Sequence, residues 1–241
     1  MPTPEFQIFG TPHLVAMVLT LAVPILLIAA ARKAGSKTVA DAGAWLLAGS
    51  LLVNETIHWG YRLNAVGWSR FVQDHLPLHV CGLTILLTAA TLIFRRQSIY
   101  EIVYFWGLVG STNAVITPGD LEAGFPDYRF FQYFIAHSGI VAGVLYATLG
   151  LKMRPTLGGL FRAFVALNVL AVVLGVLNFL LESNYMFLSR PPAGTESPFF
   201  FAGWPWYIPI IDLVALAMFF VVLSPFLVAR WKTSRTSTGP E

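Results

Sequence analysis

Apolar residues along this chain gather into seven long runs, separated by short polar segments. The runs cover residues 11–31, 42–60, 76–94, 100–117, 130–149, 160–181 and 205–229. A helix that crosses a bilayer needs about 20 mostly apolar residues at a rise of about 1.5 Å each. The runs are continuous rather than alternating at every second position, which excludes a β-barrel. The pattern therefore predicts an all-α membrane protein with seven transmembrane helices. Pro24 lies inside the first run and predicts a kink or a loosened turn there. No internal repeat or linker is visible, so residues 1–231 form one domain and residues 232–241 a disordered polar tail.

The polar segments set the orientation. Segment 32–41 carries Arg32, Lys33 and Lys37, and segment 95–99 carries Arg95 and Arg96. Lys152 and Arg154 follow between runs five and six, with Arg162 just inside run six, and Arg230, Lys232 and Arg235 lie in the tail. The opposite side holds only Arg62, Arg70, Arg129 and Arg190. By the positive-inside rule the N-terminus is outside and the C-terminus cytoplasmic. That alternation needs an odd number of spans. Two longer segments, 118–129 and 182–204, fall on the outer side. The second is rich in Pro and aromatic residues, and reads either as an aromatic belt at headgroup level or as a folded-down cap.

Composition narrows the class further. Hydrophobic residues make up 56% of the chain and charged ones 11%, where soluble domains carry about 25% charged. The mean hydropathy of +0.70 places most of the chain in a second apolar solvent, and a multi-pass protein of the cell membrane is expected. The single cysteine excludes an internal disulfide. Net charge of +3 with singly scattered basic residues makes no nucleic-acid face. Residues 1–10 lack a basic residue ahead of the first apolar run, so no cleaved signal peptide is expected.

Polar residues inside the runs fall at one depth. Asn54, Glu55 and His58 lie near the end of run two, and His79 and Cys81 near the start of run three. Asn113 ends run four, His137 is about two turns into run five, and Asp212 about two turns into run seven. All fall in the outer half of the bilayer, while the inner halves hold almost no ionisable groups. An unpaired charge in hydrocarbon costs about 2.5–3.5 kcal/mol on insertion scales. Each residue taken alone reads as an interhelical hydrogen bond worth about 0.6 kcal/mol. Their one-sided clustering predicts a shared outer cavity. His13 and Asn178, close to the interface, read as structural.

Candidate chemistry centres on His75-Leu-Pro-Leu-His79-Val-Cys81. Pro77 suits the first turn of a helix, so Cys81 falls in the first two turns, where the helix macrodipole favours a thiolate. A buried cysteine in an apolar helix otherwise behaves as a small hydrophobe. A nucleophile also needs a base. His79, two residues away, points about 200° around a helix, so His137 is the better candidate. Glu55 or Asp212 could orient its imidazole. The His75/His79 pair has Leu76 where a zinc-hydrolase motif has Glu, so no metal site and no cofactor is expected.

The chain resembles the YwaF-like family of bacterial multi-pass membrane proteins over nearly its whole length. The motifs that carry this are Phe9-Gly-Thr-Pro-His13, Asn54-Glu-Thr-Ile-His58-Trp-Gly-Tyr61, Leu76-Pro-Leu-His79-Val-Cys81, Tyr104-Phe-Trp-Gly107 with Thr117-Pro118, Phe130-Phe-Gln-Tyr-Phe-Ile-Ala-His137, Asn184-Tyr-Met-Phe-Leu188 with Arg190-Pro191, and Trp204-Pro-Trp-Tyr207. A distant animal relative is a transmembrane acyltransferase that moves acyl chains between phospholipids. It uses a Cys nucleophile with a His partner, and the resemblance implies those roles for Cys81 and His137. A related seven-helix architecture includes lipid-ester hydrolases that use Thr and His, for which Thr84 is the weaker match.

The expected function is a lipid-acyl enzyme acting on phospholipid and lysophospholipid in an outer-leaflet cavity. His79, Asn113 or helix N-terminal N–H groups would stabilise the oxyanion. The rival readings are a lipid-ester hydrolase and a transporter or receptor that binds a small ligand in the same cavity. No inverted repeat supports a secondary transporter. The sequence leaves the acyl chain, headgroup, acceptor and oligomeric state open.

Overall fold

A computed structural model describes residues 4–119, 121, 123–191 and 201–236. Among them there is no strand, only an isolated bridge between Glu5 and Ala123. Seven helices follow one another: α1 (Thr11–Ala34), α2 (Lys37–Asp74), α3 (Val80–Phe94), α4 (Gln97–Ile116), α5 (Tyr128–Gly150), α6 (Leu157–Leu181) and α7 (Tyr207–Thr236). Five of them, α1, α4, α5, α6 and α7, are long and apolar enough to cross a membrane. α3 is apolar but has only 15 residues, and α2 carries a more polar second half.

Three boundaries differ from the hydrophobic pattern. α2 runs well past Gly60, where its apolar run ends, and stays helical to Asp74 except at Gly67. Gly67 takes φ 75°, which glycine adopts without the Cβ clash other residues meet. α3 starts at Val80 rather than Leu76, because residues 75–79 form a turn with a Leu78 N–H bond to the Leu76 carbonyl. α7 continues to Thr236, into the polar tail, and residues 237–241 lie outside the described residues. α1 runs through Pro24 without a break.

α4 and α5 are the centre of the bundle. α3 packs against α2, α4 and α5, while α1 lies on α5 and α2, and α6 and α7 flank α4. The outer helices expose long apolar faces, among them Val172, Phe179 and Leu213, as surfaces facing lipid do. Inside, large aromatic side chains fill the core, and several of their polar tips meet acceptors. Tyr104 donates to the Val222 carbonyl at 2.7 Å, Trp106 to Ala163 at 3.0 Å, and Tyr146 to Ala40 at 2.8 Å. The Tyr100 and Thr148 hydroxyls meet at 2.9 Å. Without water, such groups must be satisfied within the protein.

One π-helical turn interrupts α4 at Gly107–Ser111, and another ends α5 at Tyr146–Gly150. Such turns arise where an extra residue is accommodated, and they recur at functional sites. As α2 advances through Gly43, Leu51 and Asn54, its contacts on α5 recede through Tyr146, Gly139 and Gln132, so the two run antiparallel. His13 at the start of α1 meets Val115 at the end of α4. The ends of α2, α4 and α6 therefore share one end of the bundle with the starts of α3, α5 and α7.

Candidate functional site

Gly107 marks a close approach of α4 to α3 and α5. A Cβ there would meet Ile140 Cγ2 at 2.8 Å, Val144 Cγ2 at 3.2 Å and Thr84 Cγ2 at 3.5 Å. One helical turn from this layer, toward the shared end, lie Cys81 on α3, Gly110 on α4 and His137 on α5. Gly110 lacks a side chain where Cys81 needs room, and a Cβ on it would sit 4.0 Å from the Cys81 Sγ. Cys81 is half-buried in the first turn of α3, which has no side-chain cap from His79. The thiol therefore lies at the positive end of a helix dipole, beside the π turn.

His137 is half-buried, and its Nδ1 lies 2.9 Å from the Tyr133 carbonyl. A carbonyl oxygen only accepts, so Nδ1 carries the hydrogen and Nε2 of the neutral ring keeps its lone pair. Tyr133 fixes the ring further by packing on it, with centroids 4.2 Å apart. Its hydroxyl donates to the Ala114 carbonyl at 3.1 Å, tying α5 to the end of α4. His79 has the opposite tautomer. Its Nδ1 accepts the Met186 N–H at 3.3 Å, so in the neutral ring Nε2 bears the hydrogen and donates. The neutral His137 ring thus keeps an Nε2 lone pair, and the neutral His79 ring an Nε2–H.

His79 differs from its expected place on a helix face. It precedes the first helical residue of α3, with φ −67° and ψ 150°, so the 200° argument does not apply. His75 closes α2 while His79 opens α3, and the pair does not share a helix. The segment after α6 holds this region down. Asn178 accepts the Tyr185 N–H and donates to the Tyr185 carbonyl. The Tyr185 hydroxyl donates to Val72 at 2.7 Å and accepts from the Leu76 N–H. Residues 183–190 thus fold onto the α2–α3 connection. The remainder of the expected belt or cap, residues 192–200, lies outside the described residues.

The expected carboxylate behind His137 is replaced by the Tyr133 carbonyl. Glu55 instead accepts from Trp59 Nε1 at 2.7 Å, and Asp212 accepts from Asn168 Nδ2 at 3.1 Å. Asn54 donates to the Gln132 carbonyl at 3.2 Å and ties α2 to α5. Asn113 is exposed and engages Thr117 one turn on. His58 is half-buried on α2, and its Nδ1 has no partner. Thr84 is buried and donates to the Val80 carbonyl at 2.6 Å, which commits its hydroxyl to the helix.

Two polar residues were not singled out by sequence. Ser111 is fully buried on the π turn, next to Gly110, and its hydroxyl has no partner. The closely spaced small residues Gly107, Gly110 and Ser111 were its only sign. Glu101 is fully buried near the other end of α4, held by Arg162 and by the Thr156 hydroxyl at 2.7 Å. The half expected to hold almost no ionisable groups therefore contains a buried carboxylate, paired with a largely exposed arginine. A separate apolar cavity of about 570 Å³ lies between α1, α2 and α5, lined by Leu19, Leu47, Phe130 and Phe134. His137 faces away from it, across α5.

A bundle of apolar helices, its lipid-facing surfaces hydrophobic and most of its buried aromatic hydroxyls and indoles bonded within the protein, defines a helical membrane protein. The chain matches the TMEM164 family over residues 8–223, and it belongs to that family. An uncharacterized protein of Treponema pallidum (strain Nichols) is 28% identical over 191 residues, covering 78% of this chain and 76% of that protein. No solved structure matches the chain.

Proposed function

We propose that the protein is a lipid-acyl enzyme of the cell membrane, in which Cys81 is the nucleophile and His137 the base. In this reading all seven helices span the bilayer, with the N-terminus outside and the C-terminus cytoplasmic, as the excess of basic residues on one side implies. α3, about 22 Å long, crosses with the help of the 75–79 turn. The relation to the YwaF-like group and to the animal phospholipid acyltransferase belongs to the same proposal. The substrates are a phospholipid and a lysophospholipid.

The carrying observation is the layer around the α4 π turn. It holds a helix-start thiol beside Gly110 and, on α5, an imidazole whose Nε2 is left as acceptor. His137 Nε2 takes the thiol proton as sulfur attacks the ester carbonyl. A C–S bond forms, the ester C–O bond breaks, and the departing lysolipid oxygen takes the proton from His137. The acceptor hydroxyl then loses its proton to His137 and attacks the thioester. A new ester bond forms, the C–S bond breaks, and the departing thiolate takes the proton back from His137. His79 Nε2–H and the first N–H groups of α3 are assigned as the donors to the oxyanion.

The test uses purified protein with mixed phospholipids. Cys81→Ala and His137→Ala should each abolish acyl transfer, and the double variant should be no worse, because residues that act as one unit are non-additive. Full transfer by Cys81→Ala at matched folded yield ends the covalent mechanism. The cavity between α1, α2 and α5 favours a second reading, a transporter or receptor for an apolar ligand. Acyl-type electrophiles should label Cys81 in the enzyme. Release of free fatty acid with no lysolipid acceptor consumed identifies a hydrolase instead.

A further inference from the structure

Three side-chain atoms near the Cys81 end of the bundle are buried without a hydrogen-bond partner: His58 Nδ1, Arg62 Nε and the Tyr128 hydroxyl. They belong to one cluster. His58 and Arg62 stand four residues apart on α2 and share a face. Tyr61 packs its ring on Tyr128, with centroids 4.9 Å apart, bringing the start of α5 against this turn. The Arg62 charge bears on His58, on Tyr128 and on His75 in the connection to α3. Among the described residues no carboxylate lies within ion-pair distance of Arg62. Glu55, further into α2, is engaged by Trp59.

Buried polar groups are paired in about nine cases of ten or more. Leaving one unpaired costs about as much as the hydrogen bonds that hold a fold together. Three in one place are explained when an acceptor arrives from outside. Arg62 Nε–H and the Tyr128 hydroxyl donate, and His58 Nδ1 donates in one tautomer. Glu55 bears on Tyr128 and Asp74 on His75, but neither pairs with Arg62, and an unpaired guanidinium among donors suits the tetrahedral oxygens of a phosphate. Position names the source. Arg62 falls two residues beyond the apolar run that ends at Gly60, at the depth of lipid headgroups, and His75 precedes Cys81 by six residues.

We propose that His58, Arg62, His75 and Tyr128 form a phosphate-binding site that holds the headgroup phosphate of a phospholipid. This deepens the lipid-acyl reading and rests on it for the identity of the lipid. The site would anchor the headgroup while the ester reaches the thiol.

The experiment titrates the purified full chain in maltoside detergent with three probes: dioctanoyl phosphatidylglycerol, dioctanoylglycerol and inorganic phosphate. Arg62→Gln should weaken phosphatidylglycerol binding about tenfold, and leave dioctanoylglycerol binding unchanged. Tyr128→Phe should weaken the phospholipid in the same selective way, by a smaller factor. If Arg62→Gln does not fold, Arg62→Lys, which keeps the charge but loses the planar fork, makes the same comparison. Equal phospholipid affinity in folded Arg62→Gln overturns the proposal, as does an equal loss for dioctanoylglycerol. Arg62-dependent binding of inorganic phosphate with no binding of the lipid overturns the headgroup source. Cys81→Ala should bind as the natural chain does, so failure of the acyl chemistry and failure of this site are read separately.

Discussion

Gly107→Ala should open the layer beneath Cys81 and His137, and Gly110→Ala should not. Both glycines lie in one π turn of α4, so the gain of about 1 kcal/mol in helix propensity from Gly to Ala is common to both. They differ in the space available. A methyl on Gly107 lands 2.8 Å from Ile140 Cγ2 and 3.2 Å from Val144 Cγ2, well inside ordinary carbon contact, between two close-packed helices. A methyl on Gly110 meets only the Cys81 Sγ, at 4.0 Å. Overpacking of this kind costs about 1–3 kcal/mol. Gly107→Ala should therefore melt below Gly110→Ala by several degrees, at about 2–4 °C per kcal/mol for a chain of this size. The assay is thermal unfolding of both variants in one detergent, followed by the rate of Cys81 alkylation. Ile140 lies one turn from His137 on α5, so the same displacement should change that rate in Gly107→Ala. Melting temperatures that coincide, or a lower one for Gly110→Ala, would refute the packing described for this layer.

Arg162→Ala should destabilise the protein by about 3 kcal/mol, and by more than Glu101→Gln does. The first change strands a buried carboxylate, while the second leaves a largely exposed arginine; equal melting of the two refutes the asymmetry. Asn178→Ala should release the 183–190 segment, raising hydrogen exchange at Tyr185 and Met186 while the α4 core stays protected. Lys37 and Arg95 hold the Asp41 carboxyl below its ordinary value of 3.8. Its contribution is therefore present above that pH and lost as the pH falls through the lowered value, so Asp41→Asn should flatten the acid limb of the stability profile. In a Cys81→Ala background, Arg190→Cys should react with impermeant thiol reagents from outside the cell and Lys33→Cys should not. The reverse pattern overturns the orientation.

How much of this was legible in the chain follows from which forces are local. Runs of apolar residues are enough to specify helices, because a backbone in hydrocarbon has to satisfy its own hydrogen bonds. The apolar runs foretold the seven helices, with α4, α5 and α6 starting and ending within a few residues of the expected limits. The gathering of Asn54, Glu55, Cys81 and His137 toward one end followed from counting depth along antiparallel runs. Pro77 misled the start of α3, since it fits a first helical turn and a preceding turn equally well. α2 kept its helix past Gly60 because hydropathy marks where lipid stops, not where backbone bonding stops.

Partner choice is another matter. Sequence offered Glu55 and Asp212 as supports for His137, and packing gave one to Trp59, the other to Asn168, and the imidazole to a carbonyl of its own helix. The opposite tautomers of His79 and His137, the orphaned Ser111 hydroxyl and the His58–Arg62–Tyr128 cluster depend on which helices face each other and in what register. Those contacts join residues far apart in the chain. Only the tertiary structure decides them, because a side chain's donors and acceptors are set by what lies across the interface, which no local pattern specifies.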